Sequence, residues 1–136
     1  MGAAQASNKT ASVHVSAVVR ASAHLRTDHQ ASHIKVTAED VARGYVEVLG
    51  ASKFFVATPK GANYFVDFHP RSDLFVSVAI DGLGGPVELG AEGGSIAQPG
   101  PGVMGAASTL DYRFRLRFEV QPGVYAWPLT LDVRAR

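Results

Sequence analysis

Residues Ala11–Leu25 read ASVHVSAVVRASAHL, and every odd position of this stretch is apolar while all but one of the even positions are polar. Strict period-two alternation predicts an extended strand with one buried face. At about 3.3 Å per residue the stretch would extend roughly 50 Å, whereas an ordinary strand covers less than about 20 Å. The segment is therefore expected either to bend and cross between sheets, or to project beyond its domain and pair elsewhere.

The middle of the chain also reads as short strands separated by turn residues. Thr37 begins the one plausible helix, because Asp40 stands at the capping-box spacing, and Gly44 ends it. Pro99–Gly102 is predicted to be a flexible surface loop, since proline cannot join the interior of a strand ladder. The candidate strands are His33–Val36, Tyr45–Leu49, Lys53–Ala57, Tyr64–Phe68, Leu74–Ile80 (with Leu74, Val76, Val78 and Ile80 on one face), Val87–Leu89 and Ser95–Ala97.

The C-terminal region alternates most regularly. Leu110–Val120 and Val124–Ala135 are predicted to pair as an antiparallel hairpin, with Pro122 and Gly123 at the centre of a type II turn. Two apolar rows should be buried, and a row of arginines opposite the first should face solvent. The first row is Leu110, Tyr112, Phe114, Leu116, Phe118 and Val120, the second is Tyr125, Trp127, Leu129, Leu131, Val133 and Ala135, and the arginines are Arg113, Arg115 and Arg117.

These elements predict an all-β chain that folds as a single antiparallel β-sandwich of about seven to eight strands, with a closed barrel as the alternative. The 136 residues suffice for one domain. Residues 1–9 are predicted to be a flexible N-terminus, residues 10–20 an extension strand, and residues 21–136 the sandwich. Ala4-Gln5-Ala6 fits either the remnant of an export signal or an ordinary alanine-rich terminus.

Composition excludes several classes of protein. The net charge of +1 argues against a nucleic-acid binder, which would carry a strong basic excess. No apolar run approaches the roughly 18 residues of a membrane helix, so no membrane span is predicted. The absence of cysteine excludes disulfides, thiolate metal sites and cysteine nucleophiles.

A group of histidines is the obvious candidate for a metal site. His24, His29 and His33 lie close in sequence with Asp28 among them, and imidazole and carboxylate groups can ligate zinc or copper. Their spacing is not that of a familiar metal motif. His24 belongs to the polar face of the first long strand. We therefore predict a solvated loop with histidines that binds no metal tightly, with a histidine-based metal carrier as the alternative.

Two further groups could bind ligands. The row of Arg113, Arg115 and Arg117 could grip a phosphate or a sulfated glycan, but such a row also keeps an exposed strand soluble. Tyr125 and Trp127 could stack on a sugar ring, but their position in an apolar row favours the core. We therefore predict that the arginines keep an exposed strand soluble and that the two aromatic residues fill the core.

No pattern of catalytic residues is present. Gly82–Gly85 is glycine-rich, but no helix and no suitably placed lysine follow it, so it is not a nucleotide loop. No serine stands in a nucleophile-elbow context and no carboxylate pair is indicated by pattern. The chain is therefore predicted not to be an enzyme, and no cofactor is expected.

Both ends of the chain resemble the pilus subunits that assemble by the chaperone–usher route. The N-terminal resemblance is the alternating segment Thr10–Val19, and the C-terminal one is Gly123, which is followed by alternating hydrophobic residues. Gly123-Val124-Tyr125 is more similar to the spore-coat-U and archaic fimbrial branch. The chain departs from that family at Ala135, where a tyrosine is usual, and in having no cysteine pair.

This resemblance implies an immunoglobulin-like sandwich whose N-terminal strand completes a neighbouring copy, so that the protein is a structural subunit of an extracellular filament. Implied partners are other copies of the chain, a periplasmic chaperone and an outer-membrane usher, and the implied location is the cell surface, reached through the periplasm. The alternative is a self-contained secreted or periplasmic module that binds a glycan or a protein. The implied donor-strand residues are Ala11, Val13, Val15, Ala17 and Val19, and the implied C-terminal strand motif is Gly123, Tyr125, Trp127, Leu129, Leu131 and Val133.

Overall fold

A computed structural model describes residues 23–136. This part of the chain is nearly all β-structure, as predicted, with ten strands rather than seven or eight and one short helix. The predicted flexible terminus and extension strand lie outside the described residues. The elements are β1 His24–Gln30, β2 His33–Val36, α1 Ala38–Arg43, β3 Tyr45–Ala57, β4 Tyr64–Pro70, β5 Phe75–Asp81, β6 Val87–Gly90, β7 Gly94–Gln98, β8 Ala106–Leu116, β9 Gly123–Ala126 and β10 Leu129–Ala135.

The strands form antiparallel sheets that pack around one core. A five-stranded sheet has the order β1-β3-β8-β5-β6, a three-stranded sheet has the order β10-β4-β7, and β2 pairs with β9 as a two-stranded ribbon. Inward-facing side chains of both sheets meet in a single apolar cluster, including Val78 and Ile80 from the first sheet and Val66 and Phe68 from the second. The predicted β-sandwich is therefore confirmed at the level of an all-β, antiparallel fold.

The N-terminal strands cross from one sheet to the other. Ala31 still donates its N–H to the carbonyl of Ala51 in β3 (2.8 Å), but Ser32 accepts the N–H of Trp127 (2.9 Å). β1 therefore belongs to the five-stranded sheet, while β2 belongs to the ribbon that continues through Trp127 into β10. β1 and β10 therefore lie in different sheets and contact each other.

The predicted helix is confirmed as α1. The Thr37 hydroxyl accepts the N–H of Asp40 (3.1 Å), and the Asp40 carboxylate accepts the N–H of Thr37 (2.9 Å), which completes a capping box. Gly44 ends the helix in the left-handed conformation, with φ of 88°. Arg43, in the last turn, lies 2.6 Å from the Asp40 carboxylate.

Two strand predictions near irregularities are wrong in detail. Tyr45–Leu49 and Lys53–Ala57 are one strand, because a shift of register between Val48 and Ser52 absorbs the glycine without ending the ladder. A second shift between Phe75 and Ser77 turns Val76 outward, where it is 39% exposed. Such bulges change which face a side chain points to, and alternation alone does not reveal them.

The predicted C-terminal hairpin is also wrong. β8 pairs with β3 on one edge and with β5 on the other, so neither edge is free for the segment that follows. That segment crosses to the other side of the sandwich, where β9 pairs with β2 and β10 pairs with β4. Gly123 lacks the positive φ of a type II turn and begins β9 opposite Val36.

The apolar rows of these segments are buried only in part. β8 ends at Leu116, so Phe118 lies beyond the ladder and is 96% exposed. Arg113 and Arg115 face solvent as predicted, while Arg117 is half-buried. The buried members are Leu110, Tyr112, Phe114, Leu116, Trp127 and Leu129, and the half-buried ones are Val120, Tyr125, Leu131, Val133 and Ala135.

Candidate functional site

The open edge beside the C-terminal strand

The predicted subunit-interaction site has two parts, and only one of them lies within the residues that the structure describes. The donor-strand residues Ala11, Val13, Val15, Ala17 and Val19 lie outside the described residues. The C-terminal strand motif is described throughout and occupies β9, the turn after it, and β10. The edge of β10 is therefore the part of the candidate site whose geometry can be examined.

Tyr125, in the first half of the C-terminal strand motif, holds the segment that precedes β10 in place. Tyr125 pairs with Ile34 across the β2–β9 ribbon, and its hydroxyl donates a hydrogen bond to the carbonyl of Gln121 at 2.5 Å. This bond closes the loop in front of β9, since it joins two positions four residues apart. Tyr125 is half-buried, with its ring against the core, as its place in the apolar row predicts.

Trp127 lies in the core and does not form a sugar platform. It is 8% exposed, and its ring meets the rings of Tyr112 and Phe114 edge to face at centroid distances of 5.1 and 5.3 Å. Aromatic rings prefer such edge-to-face geometry. Its indole Nε1 is buried and has no hydrogen-bond partner among the described residues. Trp127 therefore anchors the start of β10 by packing.

β10 pairs on one side only. Its register with β4 runs from Leu129 opposite Pro70 to Ala135 opposite Tyr64, and within residues 23–136 its other edge joins no ladder. Leu129 is fully buried, whereas Leu131 and Val133 also pack against the core but remain half-buried. The apolar cover of the core is thus incomplete along this edge.

β1 borders the same side of the sandwich. It is the end strand of the five-stranded sheet, and its side chain Leu25 is half-buried against the core. The outward face of β10 is charged, and Arg134 there forms an ion pair with Asp67 of β4 at 2.8 Å. An extended segment with alternate apolar residues is what such an edge accepts, because main-chain groups pair and every second side chain turns inward.

The predicted loop is wrong for His29, which lies in a strand, whereas His24 and His33 lie in strands as predicted. His24 and His29 lie in β1 and His33 lies in β2, and all three are exposed. Asp28 is engaged by Arg26, whose Nε lies 2.9 Å from the carboxylate. Among residues 23–136 no group of three or more histidine, aspartate or glutamate side chains is placed to hold a metal ion.

Tyr112 has a raised pKa, and its side chain lies in the core. Burial raises the pKa of Tyr112 to about 12, and its hydroxyl lies 2.6 Å from the hydroxyl of Ser52. Ser52 in turn donates to the side-chain carbonyl of Gln30 at 2.7 Å. A perturbed pKa marks a reactive group only where substrate can reach it, so this network is structural.

The sequence predicts the motif residues, but it does not indicate which strands lie beside them. β10 pairs with β4, and it also contacts β1 of the five-stranded sheet. No local pattern reports these relationships, because they join positions that are far apart in the chain.

No helix in residues 23–136 has the length and apolar character that crossing a membrane requires. Comparisons with models of protein families, with curated proteins and with solved structures found no match.

Proposed function

We propose that this protein is a structural subunit of an extracellular filament, in which the N-terminal strand of one copy completes the sandwich of the next. The observation that carries the proposal is the edge of β10 that no strand of residues 23–136 pairs with, where Leu131 and Val133 face the core but stay half-buried. Such an edge is a template for strand addition.

The N-terminal sequence has the pattern that this edge needs. Ala11, Val13, Val15, Ala17 and Val19 are apolar and alternate with mainly polar residues. Burying one valine contributes roughly 1.5–3 kcal/mol, so the three valines contribute on the order of 5–9 kcal/mol before ordering costs. That is comparable with the net stability of a small domain, which is about 5–15 kcal/mol.

The register of β1 favours a neighbouring copy as the acceptor. His24 already pairs with Ala57, the last residue of β3. A strand that continued straight from His24 toward the N-terminus would therefore find no further β3 residue to pair with. A segment leaving the sandwich in this direction is placed to reach another molecule.

The second candidate is a self-contained secreted or periplasmic module that binds a glycan or a protein. Its support is that the core closes within residues 23–136, where Val66, Val78 and Ile80 are fully buried. In that case residues 11–19 would turn back and cover the β10 edge of their own chain. The two candidates can be distinguished by which copy supplies the strand.

The test compares the full chain with a variant that lacks residues 1–19, by electron microscopy and size-exclusion chromatography. We expect filaments from the full chain, and from the truncated chain a protein that does not assemble and aggregates through its open edge. A synthetic peptide spanning Asn8–Arg20 should convert the truncated chain into a stable monomer.

A matched pair of full-length variants keeps the test specific. Val13→Asp with Val15→Asp places charges on the apolar face and should abolish assembly, whereas Ser12→Asp with Ser16→Asp places them on the polar face and should leave assembly intact. A truncated chain that is monomeric, soluble and as heat-resistant as the parent would refute the filament proposal. A full chain that stays monomeric but loses heat resistance on truncation would favour the module.

A further inference from the structure

The outer face of the five-stranded sheet carries a cleft of about 570 Å³. Small-molecule sites commonly have volumes of about 300–1,000 Å³. The cleft lies on the face turned away from the core, where Arg113 and Arg115 of β8 are exposed, and it extends over Ser77 and Ala79 of β5. It is separate from the edge of β10.

The register of the sheet creates this cleft. Arg115 lies opposite Ser77, and Arg113 lies opposite Ala79, while on its other side Ala79 lies opposite Glu88 of β6. Directly opposed residues point to the same face of a sheet. The short side chains of Ser77 and Ala79 therefore form a low strip between the arginines on one side and Glu88 on the other.

Two arginines at the rim are held in place and their charges are compensated. Arg113 lies 2.8 Å from the carboxylate of Glu47, and Arg43 lies 2.6 Å from that of Asp40. Both guanidinium groups also lie over the ring of Tyr45, each 4.6 Å from its centroid. Cation–π contacts of this kind add to the ion pairs, so this part of the rim is preorganised.

Two other arginines of the cleft form no ion pair with any of the residues that the structure describes. Arg117 donates through Nε to the neutral carbonyl of Asp73 at 2.6 Å. Arg115 is exposed, and its side chain has no ion-pair partner within residues 23–136. A guanidinium with free N–H groups matches the geometry of a carboxylate, sulfate or phosphate. The arginine side of the cleft is thus suited to an anionic group.

The other boundaries of the cleft suit the rest of a sugar. Glu88 is exposed across the low strip, and an ionised carboxylate accepts hydrogen bonds from hydroxyl groups. Phe118 and Val76 line the same cleft and are 96% and 39% exposed. An aromatic face beside polar groups can pack against the C–H face of a sugar ring.

An extended peptide fits this face less well. β5 and β8 are interior strands, and each is paired with a neighbour on both edges. Their main-chain groups are therefore engaged in the sheet, and a peptide could not add as a further strand. Recognition here depends on side chains, which favours a ligand that presents acid and hydroxyl groups together.

We propose that this cleft binds an acidic saccharide, with its sulfate or carboxylate group on Arg115 and Arg117 and its hydroxyl groups on Glu88. The site does not depend on strand exchange, because none of its lining residues belongs to β10 or to the N-terminal segment.

Isothermal titration calorimetry of the full chain tests the proposal, with a sulfated tetrasaccharide prepared from heparin as the probe and maltotetraose as the neutral control. We expect binding of the sulfated probe only. Arg115→Ala should weaken it by about tenfold or more, since a charge-assisted hydrogen bond is lost. Arg71→Ala removes the same charge from an exposed position outside the cleft and should change affinity less than about twofold.

Glu88→Ala separates a saccharide site from a simple anion site. If Glu88 accepts hydroxyl groups, its removal weakens tetrasaccharide binding severalfold, whereas a site that attracts only charge would bind more tightly. The proposal is overturned by tighter binding to Glu88→Ala, by equal losses in Arg115→Ala and Arg71→Ala, or by an acidic hexapeptide that binds as well as the tetrasaccharide. Absence of binding to the sulfated probe would overturn it as well.

Discussion

Ser52 is a buried polar residue that joins β1, β3 and β8 by hydrogen bonds. Its hydroxyl donates to Gln30 at 2.7 Å and lies 2.6 Å from the hydroxyl of Tyr112. Because the one hydroxyl hydrogen of Ser52 is used by Gln30, Tyr112 is the donor in the second bond. The chain leaves no hydroxyl of this pair unpaired, which is what buried polar groups require.

We expect Ser52→Ala to destabilise the fold more than Tyr112→Phe. The first change leaves the Tyr112 hydroxyl buried without its acceptor and costs about 1–3 kcal/mol, whereas the second removes one bond at about 1 kcal/mol. Urea unfolding of the two variants and of the double variant measures this difference. A double variant that loses the full sum of both costs would show that the two hydroxyls do not interact.

The raised pKa of Tyr112 also predicts a loss of stability in alkali. Burial raises this pKa from the ordinary 10.0 to about 12, so the folded state favours the neutral phenol. The contribution of the neutral Tyr112 phenol to the free energy of unfolding is roughly 2–3 kcal/mol. It is fully present below pH 10 and is lost as the pH rises through 12. Tyr112→Phe should remove this part of the pH dependence, and identical alkaline curves for both proteins would contradict it.

At the scale of elements, β8 shows that an alternating sequence pattern can continue beyond the residue at which the strand ends. Phe114 and Phe118 belong to the same apolar row in the sequence. The structure buries Phe114 fully, against Phe75 and Trp127 at centroid distances of 5.1 and 5.3 Å. Phe118 lies beyond the end of the strand and is 96% exposed.

The two phenylalanines should therefore respond differently to the same substitution. Phe114→Ala opens a cavity in the core and should cost about 3–5 kcal/mol. Phe118→Ala removes an exposed side chain and should change the free energy of unfolding by less than about 0.5 kcal/mol. Denaturant unfolding measures both changes, and equal losses would show that the first row continues to Phe118 as a buried strand.

At the scale of the whole molecule, β8 is the centre of the five-stranded sheet, with β3 and β5 on its two edges. Its backbone amides are therefore protected by ladders on both sides, while β7 is an outer strand of the smaller sheet. Such differences in pairing set the local stability of a fold.

Hydrogen exchange of the full chain should reflect this arrangement. Amides of residues 110–116 should exchange slowest, close to the rate of global unfolding, and amides of residues 94–98 should exchange faster. Mass spectrometry after peptic digestion can compare the two segments directly. Exchange from β8 that is as fast as exchange from β7 would contradict the central position of β8.

Much of the local structure could be predicted from the sequence. The capping box of Thr37 and Asp40, the positions of most strands and the outward direction of Arg113 and Arg115 follow from patterns a few residues long. Leu129, Leu131 and Val133 alternate as a strand with one inner face should, and the structure places them in β10.

The sequence by itself determined the all-β class, the inner face of most strands and the single helix, because alternation and capping act between neighbouring residues. Only the tertiary structure decided which strands pair. β8 lies between β3 and β5 and β10 lies beside β4, since partners are chosen by burying all the apolar faces at once. The same long-range choice places Ser77 and Ala79 between the β8 arginines and Glu88, and it leaves one edge of β10 without a partner in residues 23–136.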